Sequence, residues 1–243
     1  MSSETANVAM HMSDGIVDAP TSLLFGLLAL GGLAVCIWRS RAELDDKTVP
    51  MAGLVAAFIF AAQMINFPIL PGVSGHLLGG ALAAILVGPF VGALCVAIVL
   101  VVQALLFADG GVSALGTNIT NMALIATAAG YLVAVVMARL LLPRRETAPS
   151  TRRLGVVAFL AGLVGTLCAA TGFIIEYQIG GAGGTSASAV AAYMWGTHTL
   201  IGVGEGLITA ATVVAVARAR PDLVYLLRHR APVDRSAQVG VPA

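Results

Sequence analysis

Residues 72–89 read GVSGHLLGGALAAILVGP, and the fold depends on how this stretch is interpreted. It begins with glycines around His76, continues as a short apolar run and ends at Gly88-Pro89, a turn signal at which helices commonly end. A membrane-spanning helix needs about 20 apolar residues, so this run is either an unusually short span or a re-entrant piece. The two alternatives place all later segments on opposite sides of a membrane.

The composition indicates an integral membrane protein. Hydrophobic residues make up 58% of the 243 residues and charged residues only 10%, whereas soluble domains carry about 25% charged residues. Apolar runs predict helices over 20–39, 50–67, 75–88, 89–107, 117–142, 154–175 and 193–218. We therefore expect an all-α integral membrane protein whose seven helices form one domain over residues 20–220.

The positions of the basic residues decide between seven spans and six. All thirteen lie in three groups: Arg39, Arg41 and Lys47; Arg139, Arg144, Arg145, Arg152 and Arg153; and Arg218, Arg220, Arg228, Arg230 and Arg235. With seven spans all three groups share one side, which the positive-inside rule makes cytoplasmic. We therefore predict an external N-terminal segment over 1–19, an internal C-terminus and a cytoplasmic basic tail over 221–243.

This topology places His11 and His76 on the same external face. If the chain began at Met10, His11 would be its second residue. A histidine at that position can bind a metal through the terminal amine, its own amide nitrogen and ring Nδ1. Three nitrogens in a plane suit Ni(II) or Cu(II) and tolerate Co(II), and His76, predicted to begin the third helix, is the natural fourth donor. The alternative for His11 is an ordinary polar loop residue, whereas a functional role is favoured for His76.

Further polar residues are predicted to surround this pair. They are Gln63, Asn66, Asn118, His198 and Glu205. His198 and Glu205 lie seven residues apart, which is two turns on one helix face. These side chains either orient metal-bound imidazoles or form interhelical hydrogen bonds, and the structural role is favoured for most of them.

The sequence lacks the HExxH and GxSxG signatures of hydrolases and the GxxxxGK[ST] signature of a phosphate-binding loop. We therefore predict no catalytic residues and no enzymatic activity. ATP hydrolysis, if transport requires it, would come from another chain. We also expect no organic cofactor and no nucleic-acid partner.

Several sequence blocks, in order along the chain, resemble the CbiM/NikM family, the substrate-binding membrane components of energy-coupling-factor transporters for cobalt and nickel. The blocks are MHMSDG (10–15), NFP (66–68), SGHLLGG (74–80), GP (88–89), QALLFADGG (103–111), LGTN (115–118) and HTLIGVGEGLIT (198–209).

The resemblance implies a seven-helix protein of the cell membrane that holds Co(II) or Ni(II) as its transported substrate. The implied donors are the amine of Met10, the amide and ring nitrogens of His11, and His76. The implied partners are a transmembrane coupling subunit, a pair of cytoplasmic ATPases and often a small accessory membrane protein. A single chain without a fused second module favours cobalt.

The chain departs from the family pattern in one respect, because nine residues precede Met10. While they remain, the Met10 nitrogen is an amide and a poor donor. Either the chain starts at Met10, or it is trimmed, or the coordination differs. The alternative function is a stand-alone transition-metal permease or channel that works without ATPase subunits.

Overall fold

A computed structural model describes residues 11–65, 67–70, 73–142, 150–182 and 184–228. The chain in these ranges is helical apart from one hairpin. Its helices are α1 (Ala19–Ser40), α2 (Thr48–Gln63), α3 (Gly80–Val87), α4 (Pro89–Leu106), α5 (Leu115–Asn118), α6 (Ala126–Leu141), α7 (Thr151–Gly180), α8 (Ala187–Ala219) and α9 (Tyr225–Arg228). A π-helical stretch, Ile119–Ile125, joins α5 to α6, and Pro221–Leu223 form a 3₁₀ turn.

Within the described residues, five helices are long and apolar enough to cross a membrane: α1, α4, the continuous helix Leu115–Leu141, α7 and α8. The predicted all-α, multi-pass membrane class is therefore confirmed. Helix α2 is apolar but has only 16 residues, and α3 has eight.

Helix α3 fills the centre of the bundle. All eight of its residues are buried, and it packs against α2, α4, α6, α7 and α8. Gly79 (φ +83°) and Gly88 (φ +98°) flank it, in backbone conformations that favour glycine. The predicted helix 75–88 is wrong at its start, since the left-handed turn at Gly79 makes the helix begin at Gly80. His76 therefore precedes this helix and does not begin it.

A hairpin that was not predicted delivers His76 to the bundle. The second helix, predicted to reach residue 67, ends at Gln63. Strand β1 (Phe67–Leu70) then pairs antiparallel with β2 (Val73–Gly75), with Phe67 opposite Gly75. Proline has no backbone N–H to donate within a helix, which is consistent with a helix that stops before Pro68.

The segment 11–18 lies across the end of the bundle that holds His76, which we call the site end. The amide of Gly111 donates to the carbonyl of Met12 at 2.9 Å. The amide of Asp18 donates to the carbonyl of Gly180 at the end of α7, at 2.7 Å. The Asp18 side chain also caps α1 by accepting from the amide of Thr21 at 2.9 Å. These bonds tie the segment to two other parts of the chain.

At the opposite end, the start of the predicted basic tail folds back onto the bundle. Residues 221–228 bury Val224, Leu226 and Leu227, and α9 packs against α3. The ammonium of Lys47 lies 2.9 Å from a carboxylate oxygen of Asp222. The remainder of the tail, 229–243, lies outside the described residues.

A buried carboxylate on the loop after α1 caps α4. Glu43 is 7% exposed and accepts hydrogen bonds from the amides of Phe90 at 3.1 Å and Val91 at 2.8 Å. Its burial raises the pKa of this carboxyl, while the two amide hydrogen bonds oppose the shift.

Candidate metal site

The structure brings His11 and His76 together, although helices α1 and α2 lie between them in the sequence. Their ring centroids lie 4.8 Å apart with an interplanar angle of 54°. His11 is 7% exposed and His76 is 8% exposed. Two buried imidazoles in contact are a donor pair that suits a transition-metal ion.

Both ring nitrogens of His11 are buried, and neither makes a hydrogen bond within the described residues, although a carboxylate oxygen of Asp109 lies 3.3 Å from Nδ1. Burying such polar atoms costs free energy unless a partner compensates it. Since a metal ion would supply that partner, the state of His11 fits the predicted role. The Nδ1 atom of His76 lies 2.9 Å from the carbonyl oxygen of Leu77.

Asp109 also belongs to this site, and the sequence did not single it out as a site residue. Its Oδ1 atom lies 3.3 Å from Nδ1 of His11, and the two side chains are 9% and 1% exposed. A carboxylate orients a ligating imidazole through the ring nitrogen that does not bind the metal. Asp109 at Nδ1 therefore suits a metal bound at Nε2 of His11, whereas the predicted chelate uses Nδ1. Asp109 lies in the block 103–111 that resembles the family, which was the available signal.

Asn118 holds the segment that carries His11. Its side chain accepts from the amide of Met12 at 3.1 Å and donates to the carbonyl of Met12 at 3.2 Å. One side-chain amide thus hydrogen-bonds both the N–H and the C=O of the residue next to His11. Asn118 was predicted to surround the histidine pair, and in the structure it bonds the backbone beside His11.

The loop after α4 allows the segment to approach closely. Gly110 has φ +93°, and a Cβ added there would lie 2.9 Å from Cβ of His11. Two positions beyond the neighbouring Gly111, the hydroxyl of Ser113 donates to Asp14 at 2.5 Å and its amide donates at 2.8 Å. These bonds, the hydroxyl foremost, lower the pKa of Asp14 below its usual value of 3.8.

Gln63 and Glu205 hold the segment that carries His76. Gln63 is fully buried and donates from its amide to the carbonyl of Leu78 at 2.9 Å. Glu205 accepts from the amides of Leu78 at 2.6 Å and Gly79 at 2.9 Å. Both side chains bind backbone groups within three residues of His76, so they position its segment.

The remaining predicted residues are placed differently. His198 bonds within its own helix, with Nδ1 2.9 Å from the carbonyl oxygen of Met194, and it makes no ring contact with His11 or His76 in the described structure. Met10 and Asn66 lie outside the described residues, so their predicted roles stay predictions.

A second buried polar pair was missed entirely. Asn121, in the π-helical stretch, donates to Glu176 of α7 at 2.7 Å, and Glu176 is fully buried. The predicted sixth helix stopped at 175, which placed this carboxylate in a loop. The pair links the π-helical stretch to α7.

No group of three or more His, Cys, Asp or Glu side chains within the described ranges is arranged to hold a metal ion. Two imidazoles alone do not complete a metal's coordination, and the backbone nitrogen of His11 is a further candidate donor.

Comparison with known proteins identifies the family of this chain. The sequence model of the family described as "CbiM: Cobalt uptake substrate-specific transmembrane region" matches residues 11–223. The chain belongs to this family. The resemblance expected from the sequence blocks is thereby confirmed.

Relatives of this CbiM-family chain are named for nickel, for cobalt or for metal transport in general. A putative fused nickel transport protein NikMN of Archaeoglobus fulgidus is 42% identical over 88% of this chain and 68% of its own length. A putative metal transport protein of Haloquadratum walsbyi is 36% identical over 89% and 94%. The cobalt transport protein CbiM of Geobacter sulfurreducens is 34% identical over 89% and 62%.

Two crystal structures have the same fold as this CbiM-family chain. One, of a truncated transition metal transporter, matches with a TM-score of 0.70 at 27% identity, covering 86% of this chain and 99% of that one. The other, of a transition metal transporter, gives 0.72 at 26% identity and covers 86% and 93%. The relatives of this chain are named as transport proteins.

Proposed function

We propose that this protein is the substrate-binding membrane subunit of an ATP-driven energy-coupling-factor transporter that imports Co(II) or Ni(II). The contact between the buried imidazoles of His11 and His76 is the observation that carries the proposal. It unites residues 65 positions apart in the sequence at one end of a membrane bundle. The names of the relatives support cobalt and nickel as the transported ions.

The proposed donors are the amide and ring nitrogens of His11, a ring nitrogen of His76 and the amine of Met10. The buried ring nitrogens of His11, which make no hydrogen bond within the described residues, support its part in this set. An amine at Met10 requires a chain that begins there, and mass spectrometry of the mature N-terminus tests this. An intact Met1 or Ser2 terminus would rule out a Met10 amine as donor.

We propose seven membrane crossings, with the site end outside and the basic end in the cytoplasm. Helix α2 has 16 residues, about 24 Å at 1.5 Å per residue. The third crossing would combine α3, with eight residues or about 12 Å, and the non-helical chain 75–79, which spans at most about 16 Å. Together these approach the hydrocarbon thickness of about 30 Å.

Such a discontinuous crossing is tolerated only where protein covers the non-helical backbone. The bonds from Gln63 and Glu205 to Leu78 and Gly79 satisfy backbone groups of that kind. The positive-inside rule applied to the three basic groups supports the orientation. We place the protein in the cell membrane on the same grounds.

The proposed partners are a transmembrane coupling subunit, a cytoplasmic ATPase pair and a small accessory membrane protein. The sequence has no phosphate-binding loop, so energy from ATP would enter through those chains. The alternative is a stand-alone permease or channel. It is less well supported, because the fully buried helix α3 occupies the centre of the bundle.

Uptake into proteoliposomes tests the two alternatives. We expect the chain alone to bind Co(II) or Ni(II) without sustained uptake, and uptake to require the coupling subunit, the ATPases and ATP. Uptake by the chain alone would establish the permease. Competitive titration of purified protein with a defined N-terminus would decide between the two metals.

The ligand assignment is tested by His76→Ala, with His198→Ala as its matched control. Both residues are histidines, but only His76 contacts His11. We expect His76→Ala to abolish high-affinity binding while the protein stays folded in detergent, and His198→Ala to retain it. Unchanged Co(II) and Ni(II) titrations in His76→Ala would refute the assignment.

A further inference from the structure

Glu205 is a buried carboxylate that binds backbone on a distant part of the chain. It is 2% exposed, and its two oxygens accept separately from the amides of Leu78 at 2.6 Å and Gly79 at 2.9 Å. These amides belong to residues just before α3, where the first turn of a helix leaves N–H groups without helical partners. A carboxylate removed from water requires such donors, so each side satisfies the other.

This contact fixes the chain immediately after His76. Leu78 is held through its amide by Glu205 and through its carbonyl by Gln63, and Gly79 has a left-handed backbone. The ring of His76 is in turn 2.9 Å from the carbonyl of Leu77. The position of the imidazole is therefore set by α8 and α2 and not by a helix of its own.

Helix α8 connects this contact to the opposite end of the bundle. It has 33 residues and is about 50 Å long, and Gly206, next to Glu205, lies against Gly162 of α7 with space for no side chain. At its far end the chain continues into 221–228, which contacts the loop before α2. A displacement of α8 would thus change the hydrogen bonds between Glu205 and the amides of Leu78 and Gly79.

We propose that Glu205 is a positioning residue that ties the His76 imidazole to α8, so that metal affinity depends on the position of that helix. The inference rests on the proposed function. When α8 moves relative to α3, the carboxylate leaves the two amides and His76 withdraws from His11. Coupling of this kind is reciprocal: bound metal stabilises the contact, and breaking the contact weakens metal binding.

The test compares Glu205→Gln with Glu176→Gln in the purified full-length protein. A glutamine at 205 offers one acceptor oxygen, and its NH₂ group would face a backbone donor. We expect Co(II) and Ni(II) affinity to fall about 10- to 100-fold, the range found when a group supporting a metal ligand is lost. We also expect the ligand-field absorption of bound Ni(II) to change, because one nitrogen donor is displaced.

Glu176→Gln is the matched control, since Glu176 is equally buried but bonds to Asn121 on another part of the bundle. Its affinity and spectrum should equal those of the wild type even if its unfolding midpoint falls. A folded Glu205→Gln protein with wild-type affinity and spectrum would overturn the proposal. So would equal losses of affinity in both variants with unchanged spectra, which would indicate a stability effect alone.

Should Glu205→Gln fail to fold, Glu205→Asp decides the matter. Its carboxylate is one methylene shorter and cannot reach both amides in the present geometry, so the spectrum should shift; an unshifted spectrum overturns the proposal. Failure of the wild type itself to bind Co(II) or Ni(II) would instead contradict the proposed function. The two failures are therefore distinguishable.

Discussion

The docking of the His11 segment by Asn118 leads to a quantitative prediction for Asn118→Ala. The substitution removes the two hydrogen bonds to Met12, of 3.1 and 3.2 Å. Each is worth about 1 kcal/mol net, so ordering the segment would cost about 2 kcal/mol more. Since 1.4 kcal/mol corresponds to tenfold, we expect metal affinity to fall about 10- to 30-fold.

The donors themselves survive in Asn118→Ala, which separates this effect from loss of a ligand. Isothermal titration with Co(II) or Ni(II) should give a weaker constant with unchanged stoichiometry, and the spectrum at saturation should equal that of the wild type. Thr199→Ala is a suitable control, because it removes a 2.7 Å hydrogen bond within α8 away from the segment. Its affinity should be unchanged.

Two results would refute the reasoning about Asn118. Wild-type affinity in Asn118→Ala would mean that the backbone of Met12 does not need this amide to be ordered. An altered spectrum at saturating metal would mean that Asn118 affects the donor set directly. Unfolding midpoints measured without metal exclude a global loss of structure as the cause.

Three further predictions concern other parts of the structure. Gly110→Ala forces a side chain into a φ of +93° and towards Cβ of His11, at about 1–2 kcal/mol for the backbone alone, so titration should show at least tenfold weaker metal binding. Because the pKa of Asp14 is lowered, its hydrogen bonds to Ser113 contribute to docking of segment 11–18 above pH 3.8 and are lost as the pH falls through the lowered pKa. Amide hydrogen exchange of residues 11–18 should accelerate over that pH range. Asp14→Asn should abolish this pH dependence. The raised pKa of Glu43 has the opposite effect on stability, which is full below pH 4.5 and declines as the pH rises through the raised pKa. The unfolding midpoint of the wild type should fall over that pH range, and that of Glu43→Gln should stay level.

The apolar runs located most of the helices because lipid-facing and core positions both select hydrophobic residues. The boundaries were less accurate: α7 extends to Gly180 and α8 begins at Ala187, so the long loop expected over 176–192 is short. Glu176 and the Gly/Ser-rich residues after it predicted a loop, yet Glu176 is buried within α7 and pairs with Asn121. Pairing between distant residues is invisible to local composition.

The sequence by itself indicated the membrane class and predicted the two histidines of the proposed site. It could do so because a chain with 10% charged residues has few polar side chains, and each one at membrane depth stands out. Sequence blocks in the same order then indicated the family, which the match over residues 11–223 confirmed. Even the surrounding residues Gln63, Asn118 and Glu205 were named this way.

Only the tertiary structure decided what those residues do. Asn118 hydrogen-bonds the backbone of Met12, 106 positions away in the sequence, and Glu205 that of Leu78, 127 positions away. Such contacts with backbone groups are not visible in any pattern of side chains. The short helix α3, its glycine at +83° and the approach of Asp109 to His11 also depend on packing. The apolar run in 72–89 was short because its helix begins only at Gly80. The backbone groups of Leu78 and Gly79 before that helix are satisfied by the side chains of Gln63 and Glu205, which only the fold brings near.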